Sequence, residues 1–300
     1  MTIKNVTAKP FVKWAGGKGQ LISEISNKYP DNLGYDVDKY CEPFVGGGAV
    51  LFDVLSNYNL RQVIINDINK ELINTYRQIR DNVKTLVIEL NAIQEIYHPL
   101  NMGERKKMYY EMRDRYNHLK INGDKSVNIE KAKLFIFLNK TCFNGLYRVN
   151  KKGLFNVPIG GYKKPLICDE ENLLNASKLL QKAEILCGDY SACLSYIDEN
   201  TFVYIDPPYR PLNNTSSFIS YDEKIFDDDE QVRLRDFINE LSMKEAKVLL
   251  SNSDPKNVDT NDDFFDDLYS EYRIDRILAK RMINSVAEKR GNVSELLISN

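Results

Sequence analysis

Thr201-Phe202-Val203-Tyr204-Ile205 is a run of β-branched and aromatic residues, and Asp206-Pro207-Pro208-Tyr209 follows it without a spacer. Such a run reads as a buried strand. Neither proline can donate to a sheet ladder, so the strand stops abruptly at Asp206. A carboxylate, a carbonyl stiffened by two proline rings and an aromatic face then converge at the carboxyl end of a strand. Open α/β sheets bind ligands there. The set suits a planar base bearing an amino group. Asp206 and the Pro207 carbonyl each accept one amino hydrogen, and Tyr209 stacks on the ring, at ~1–3 kcal/mol per base. The plainer alternative is a proline-ended strand with a surface tyrosine.

Composition sets the frame for that strand. The 300 residues suit one large domain or two moderate ones. Hydrophobic residues at 43% and charged residues at 28% are ordinary for a globular chain with a sizeable core. No apolar run approaches the length of a membrane span, and no signal-peptide pattern opens the chain, so a cytosolic setting is expected. The five cysteines are scattered and include no Cys-x-x-Cys, which favours reduced, mostly buried thiols. Two histidines, His98 and His118, sit in polar helical sequence and read as surface residues. They argue against a His-rich zinc site and a Ser-His-Asp hydrolase, and no metal is expected. The net charge of −2 weighs mildly against a nucleic-acid binder, although a local basic cleft suffices.

Two glycine-rich turns precede the strand in the chain. Lys13-Trp14-Ala15-Gly16-Gly17-Lys18-Gly19 resembles a phosphate loop only superficially, because Val12 and Gly19 break that pattern. It reads as a tight turn into an amphipathic helix over Leu21–Tyr29, with Trp14 and Lys18 beside it. Glu42-Pro43-Phe44-Val45-Gly46-Gly47-Gly48 lies between an extended run and a helix near Val50–Leu55, and lets backbone approach a ligand. Val63-Ile64-Ile65 ends in Asn66-Asp67, and Asp67 lies 21 residues after Gly46. An acid at that distance suits a ribose diol, while a helix cap by Asn66 or Asp67 is the alternative.

From Lys70 to about Cys142 the chain is helical and charged, with stretches near Glu71–Arg80, Val83–Tyr97, Gly103–Leu119 and Ile129–Thr141, and a turn at Gly123-Asp124. Phe143 to Pro165 is not helical. Two extended arms flank Asn150-Lys151-Lys152-Gly153, which predicts a hairpin, and Arg148, Lys151, Lys152, Lys163 and Lys164 carry its charge with no acid among them. An Arg or Asn on such a ribbon can reach base edges in a major groove; a basic surface hairpin is the alternative. A short strand then ends at Asp189-Tyr190, which fits a cofactor contact or a capped helix start. Pro211 to Phe218 reads as a polar loop able to close over an extruded base. The acidic stretch Asp259–Asp267 reads as a solvated helix or loop. Two final strands, Tyr269–Leu278 and Val293–Ser299, flank a basic connection with Lys280, Arg281, Lys289 and Arg290.

In this order the motifs resemble the Dam family of DNA adenine methyltransferases, which act on GATC. The likeness covers most of the chain and is most specific from Asn144-Gly145-Leu146 through Asn156-Val157-Pro158. It is loose over 81–130. The resemblance implies a Rossmann-like mixed α/β sheet, with 1–75 and 166–300 as catalytic domain and a helical and hairpin target-recognition domain inserted at 76–165. It implies S-adenosylmethionine as cofactor, with Trp14, Lys18, Phe44, Gly46, Asp67 and Asp206 lining its site and Asp189 and Tyr190 near its adenine. Asp206, Pro207 and Tyr209 would be catalytic. Lys13, Leu146, Arg148, Asn150 and Pro158 would contact GATC bases, Phe143 would stack on the base orphaned by flipping, and Tyr162 would touch a phosphate. The partner is double-stranded DNA, which places the chain at the nucleoid, either as a solitary enzyme or beside a restriction endonuclease cutting the same site. Three alternatives stay open: methylation of cytosine in DNA or adenine in RNA, a nicotinamide-dependent oxidoreductase prompted by Gly46 and Asp67, and a DNA-binding module without catalysis.

Overall fold

A computed structural model describes residues 6–122, 129–210, 226–280 and 292–300. The predicted turn at Gly123-Asp124, the polar loop after Arg210 and most of the basic connection between the last strands lie outside the described residues.

The sheet is the mixed α/β type expected. Seven strands are present among the described residues: β1 Lys39–Glu42, β2 Gln62–Ile65, β3 Ala183–Ile185, β4 Thr201–Ile205, β5 Lys247–Ser253, β6 Arg273–Lys280 and β7 Asn292–Ser299. They run in the order β3-β2-β1-β4-β5-β7-β6. β1 pairs in parallel with β2 and β4, β4 in parallel with β5, and β7 lies antiparallel between β5 and β6. β1 and β4 are therefore neighbours with a reversal of chain order between them, the place where such sheets open a crevice at their carboxyl ends. β4 starts and stops where its apolar run does, and all five residues are buried.

By its internal contacts the chain divides into two compact units. The first takes in residues up to Gly17, Gly46–Asn57 and Asp67–Gly188. It holds α2 (Ala49–Asn57), α3 (Lys70–Tyr97), α4 (Met102–Asn122), α5 (Ile129–Thr141) and α6 (Glu170–Leu180). α3 packs against α5 and α6, and α4 against α5, around Leu72, Tyr76, Leu86, Leu90, Leu134 and Phe137. The two helices expected at 71–97 are one element with a break: Asn82 leaves helical geometry at φ −132°. This unit contains all of 76–165.

The second unit takes in Lys18–Val45, Tyr58–Asn66 and the chain from Asp189 onward. It contains β1, β2 and β4–β7, a short α1 (Ile22–Ser26), α7 (Asp228–Met243) and α8 (Phe264–Leu268). The amphipathic pattern after Gly19 therefore forms one turn of 3₁₀ helix at Lys18–Gln20 and a brief helix rather than a long one. α7 packs Leu234, Phe237, Ile238 and Leu241 toward β5. The acidic stretch is not merely solvated. Asp262 pairs with Arg210, Asp263 and Asp266 with Lys256, and Asp266 with Arg276. No helix among the described residues is long and apolar enough to cross a membrane. Cys41, Cys142, Cys168 and Cys193 are buried free thiols and Cys187 is an exposed one.

Candidate active site

Asp206 leaves the end of β4 beside a buried cation. Lys18 is only 3% exposed, and its Nζ lies 2.7 Å from Asp206 Oδ1. The same ammonium donates to the Tyr209 hydroxyl at 2.5 Å and sits 4.7 Å from the centre of that ring. Tyr209 in turn donates to Glu295 Oε2 at 3.1 Å, and Lys18 Nζ is 3.7 Å from that oxygen. Burial by itself would push the Lys18 ammonium down; Asp206, Tyr209 and Glu295 outweigh it and hold the group above its usual range. Burial lifts the Asp206 carboxyl above its ordinary 3.8, with Lys18 opposing and Glu295 adding to the rise. One ammonium between two carboxylates leaves one negative charge in excess.

The glycine turn after β1 belongs to a second cluster. Gly46 has φ +46°, and a Cβ there would lie 2.8 Å from Trp14 Cδ1. Gly48 has φ +73°, and a Cβ there would lie 2.4 Å from the Tyr76 hydroxyl. The glycines are thus demanded by the Trp14 indole and by Tyr76, whose hydroxyl donates to the Gly46 carbonyl at 3.1 Å. Asp67 Oδ2 accepts the Gly46 N–H at 3.0 Å and Oδ1 accepts the Asn69 N–H at 2.9 Å. The alternative of a helix cap by Asn66 or Asp67 is not realised: the cap is Asn69, whose side chain accepts from Glu71 and Leu72. Asn66 is buried and donates to the Pro43 carbonyl at 3.0 Å. The carboxylate at the end of β2 thus organises the glycine turn.

Phe44 and Tyr190 come together, with ring centres 5.1 Å apart. Asp189 caps the turn that Tyr190 opens: its Oδ1 accepts from Ser191 at 3.0 Å and from Arg233 at 2.6 Å. Burial acts to raise the Asp189 carboxyl, but the Arg233 and Ser191 hydrogen bonds outweigh it and hold it at about 2. Asp189 therefore forms the cap that the sequence offered as one of its two readings.

The basic segment after α5 is looser than a two-stranded ribbon. A single antiparallel bridge, Val149 to Phe155, closes the turn, and Cys142 bridges Ile159. Side chains alternate strictly enough to sort the segment into two faces. Tyr147, Phe155 and Val157 are buried, whereas Phe143, Leu146, Arg148, Asn150 and Pro158 are exposed. Asn150 accepts the N–H groups of Lys152 and Leu154, and Arg148 donates to Asn156 Oδ1 at 2.8 Å. Lys13 Nζ donates to the Tyr162 hydroxyl at 3.2 Å.

Comparison with known proteins decides the family. The model of D12-class N6 adenine-specific DNA methyltransferases matches residues 14–283. The chain belongs to that class. The type II methyltransferase M.MjaIII of Methanocaldococcus jannaschii is 49% identical over 294 residues, spanning 97% of this chain and 99% of its own. The type II methyltransferase M1.LlaDCHI of Lactococcus lactis is 36% identical over 298 residues, spanning 98% and 96%. The DNA adenine methylase of Escherichia coli is 32% identical over 291 residues, spanning 96% and 94%. Membership in an adenine-specific DNA class sets aside the cytosine, RNA, oxidoreductase and binding-only alternatives. As a D12-class methyltransferase, the chain presents Asp206 and Tyr209 in one cluster with Lys18, and Trp14, Gly46 and Asp67 in another.

Sequence reasoning missed Glu295. It was visible only as one polar residue in the last strand, 86 residues after the tyrosine that binds it. No spacing rule links the two. The one signal was an acid followed directly by the apolar run Leu296-Leu297-Ile298 in a strand with a buried face.

Proposed function

We propose that this methyltransferase takes its methyl group from S-adenosylmethionine and places it on the 6-amino group of an adenine flipped out of double-stranded DNA, within GATC. The observation that carries the reading is the Asp206-Pro207-Pro208-Tyr209 turn, mounted at the end of β4 beside neighbouring β1, with Lys18 buried against it.

The residues fit that cofactor. Lys18, Asp206 and Glu295 hold one negative charge in excess in a largely buried setting, which favours a cationic group. Asp67 is the acid at the end of β2 for the ribose hydroxyls, with the Gly46 N–H bonded to its Oδ2 at 3.0 Å. Trp14, Phe44 and Tyr190 supply aromatic surface, and Asp189 the acid after β3. When bound, S-adenosylmethionine supplies a methyl on a sulfonium centre, open to direct displacement.

A base inside the stack is out of reach, so the adenine must be extruded. Asp206 and the Pro207 carbonyl accept its amino hydrogens and aim the nitrogen lone pair. Tyr209 takes the face of the ring. Positive charge develops on the amino nitrogen during attack, and the carboxylate pair stabilises it; the proton leaves toward Asp206. Preset acceptors supply most of the acceleration. Residues 76–165 serve as the target-recognition domain. Their exposed face, Phe143, Leu146, Arg148, Asn150 and Pro158, reads the site, while Lys13 and Tyr162 steady the approach to base and phosphate.

The test is methyl transfer from tritiated S-adenosylmethionine to two duplexes, one with GATC and one with the site scrambled. Label on the GATC duplex alone supports the cofactor, the DNA substrate and the site together. Equal label on both removes the roles given to Arg148 and Asn150. No label on either, with folded protein, removes the cofactor or the substrate.

A further inference from the structure

Glu295 lies in β7, opposite Ser253 of β5 and Ile277 of β6. Its backbone is therefore held by ladders on both sides, a stiff mount for a side chain. The next three residues, Leu296, Leu297 and Ile298, are core, and the Glu295 carboxylate is itself only 18% exposed. A carboxylate in that setting needs partners. Its partners are the two groups that define the methyl-transfer cluster, the Tyr209 hydroxyl at 3.1 Å and the Lys18 ammonium at 3.7 Å. The hydroxyl thus sits in a chain. It accepts from Lys18 and donates to Glu295. One bond would tether the ring; bonds on both sides also set its rotation about the C–O axis and its tilt. Both bonds have an ionised partner, which makes them the stronger kind.

We propose that Glu295 is a positioning residue for methyl transfer, which fixes the Tyr209 ring through its hydroxyl and shares Lys18 with Asp206. This rests on the reading that Asp206 and Tyr209 receive the target base. Two consequences follow. Glu295 acts through the Tyr209 hydroxyl, so its loss matters only where that hydroxyl is present. Glu295 also adds a like charge near Asp206, whose other charged or titratable neighbours are Lys18, Tyr204 and Tyr209. Removing the Glu295 charge therefore makes Asp206 easier to ionise and moves its protonation to lower pH.

The experiment measures single-turnover methyl transfer from S-adenosylmethionine to duplex DNA, across pH, for wild type, Glu295→Ala, Glu295→Gln, Tyr209→Phe and the Glu295→Ala/Tyr209→Phe pair. Circular dichroism and thermal melting check folding. Glu295→Ala should slow transfer on the order of tenfold, and by less than about threefold in the Tyr209→Phe background. Glu295→Gln keeps an acceptor for the hydroxyl and should lose less. In both Glu295 variants the acid limb should move to lower pH. If Glu295→Ala misfolds, the near-isosteric Glu295→Gln carries the pH test alone. Equal losses from Glu295→Ala with and without the hydroxyl, or an unmoved acid limb, would overturn the assignment. Asp206→Ala separates this from the parent reading. If that variant retains turnover, the reading of the turn itself fails; if it is inactive while the Glu295 variants behave as wild type, only the role of Glu295 fails.

Discussion

Gly48→Ala tests the packing account of the glycine turn. The added Cβ would sit 2.4 Å from the Tyr76 hydroxyl and 3.3 Å from the Phe52 ring, at a φ of +73°. An alanine in left-handed geometry costs roughly 1–2 kcal/mol. Tyr76 must then move, and it gives up its bond to the Gly46 carbonyl, about 1–3 kcal/mol if that oxygen is left without a partner. Strain in the surrounding core adds about 1–3 kcal/mol. The total, roughly 3–6 kcal/mol when the terms partly overlap, is a large share of the ~5–15 kcal/mol that holds a typical domain folded. Tyr76→Phe alone loses one hydrogen bond and should cost ~1 kcal/mol. In the Gly48→Ala background the sign reverses, because the same change removes the clashing oxygen. The double variant should therefore be more stable than Gly48→Ala alone. Urea midpoints at constant slope report this. A Gly48→Ala protein within about 1 kcal/mol of wild type, or a Tyr76→Phe effect of one sign in both backgrounds, would refute the reasoning.

Asp206→Ala should abolish methyl transfer while thermal melting stays cooperative; a folded and active variant removes Asp206 from the chemistry. Because burial raises the Asp206 carboxyl above 3.8, it takes up its proton earlier on acidification, so the wild-type single-turnover rate should fall at a pH above that value. A rate still flat at pH 3.8 contradicts this. Arg148→Ala should relax base preference at one position by ~1–3 kcal/mol, read from competition between single-substituted duplexes; uniform weakening across all of them marks a phosphate contact instead. Arg233→Ala releases Asp189 from the pairing that depresses it. A depressed carboxyl contributes stability above its unfolded value and loses it as pH falls through its folded value of about 2. The small destabilisation expected at pH ~7 for this half-exposed pair should therefore fade between about pH 4 and pH 2, and a pH-independent difference in melting temperature speaks against it.

Local pattern carried most of the fold. The β4 boundaries follow from five apolar residues and two prolines, and the break between two predicted helices survives as the departure at Asn82 inside α3. The basic segment has two faces that its composition alone does not separate: Phe143, Leu146, Arg148, Asn150 and Pro158 are exposed, and Tyr147, Phe155 and Val157 are buried. What stayed hidden depends on partners far apart in sequence. Asp67 was legible as an acid at the right distance, but its role in tying Gly46 requires the turn to fold back on it. The glycines were ascribed to ligand approach, and the structure adds a nearer cause in Trp14 and Tyr76. Lys18 is separated from Tyr209 by 191 residues, so a glycine-turn lysine gave no hint of its hydrogen bond to that hydroxyl or of its buried ion pair with Asp206.

The opening motif has a further economy that its spacing alone does not reveal. Lys13 and Trp14 are adjacent, and they engage different neighbours. The Lys13 backbone is clamped by Asn139, which accepts its N–H and donates to its carbonyl, both at 2.9 Å. Asn139 also donates to the Gly145 carbonyl at 2.9 Å, in the loop that begins the base-contact face. Gly145 must lack a side chain, because a Cβ there would lie 2.5 Å from Lys13 Cδ. Trp14 fills the space over Gly46 and stacks on Tyr147 with ring centres 5.6 Å apart. Tyr147 is the buried residue between exposed Leu146 and Arg148. The Tyr147 ring thus packs on the indole, and the indole on Gly46. Packed interiors transmit strain because they have little free volume. Two consecutive side chains thus join the face assigned to DNA with the turn assigned to the cofactor.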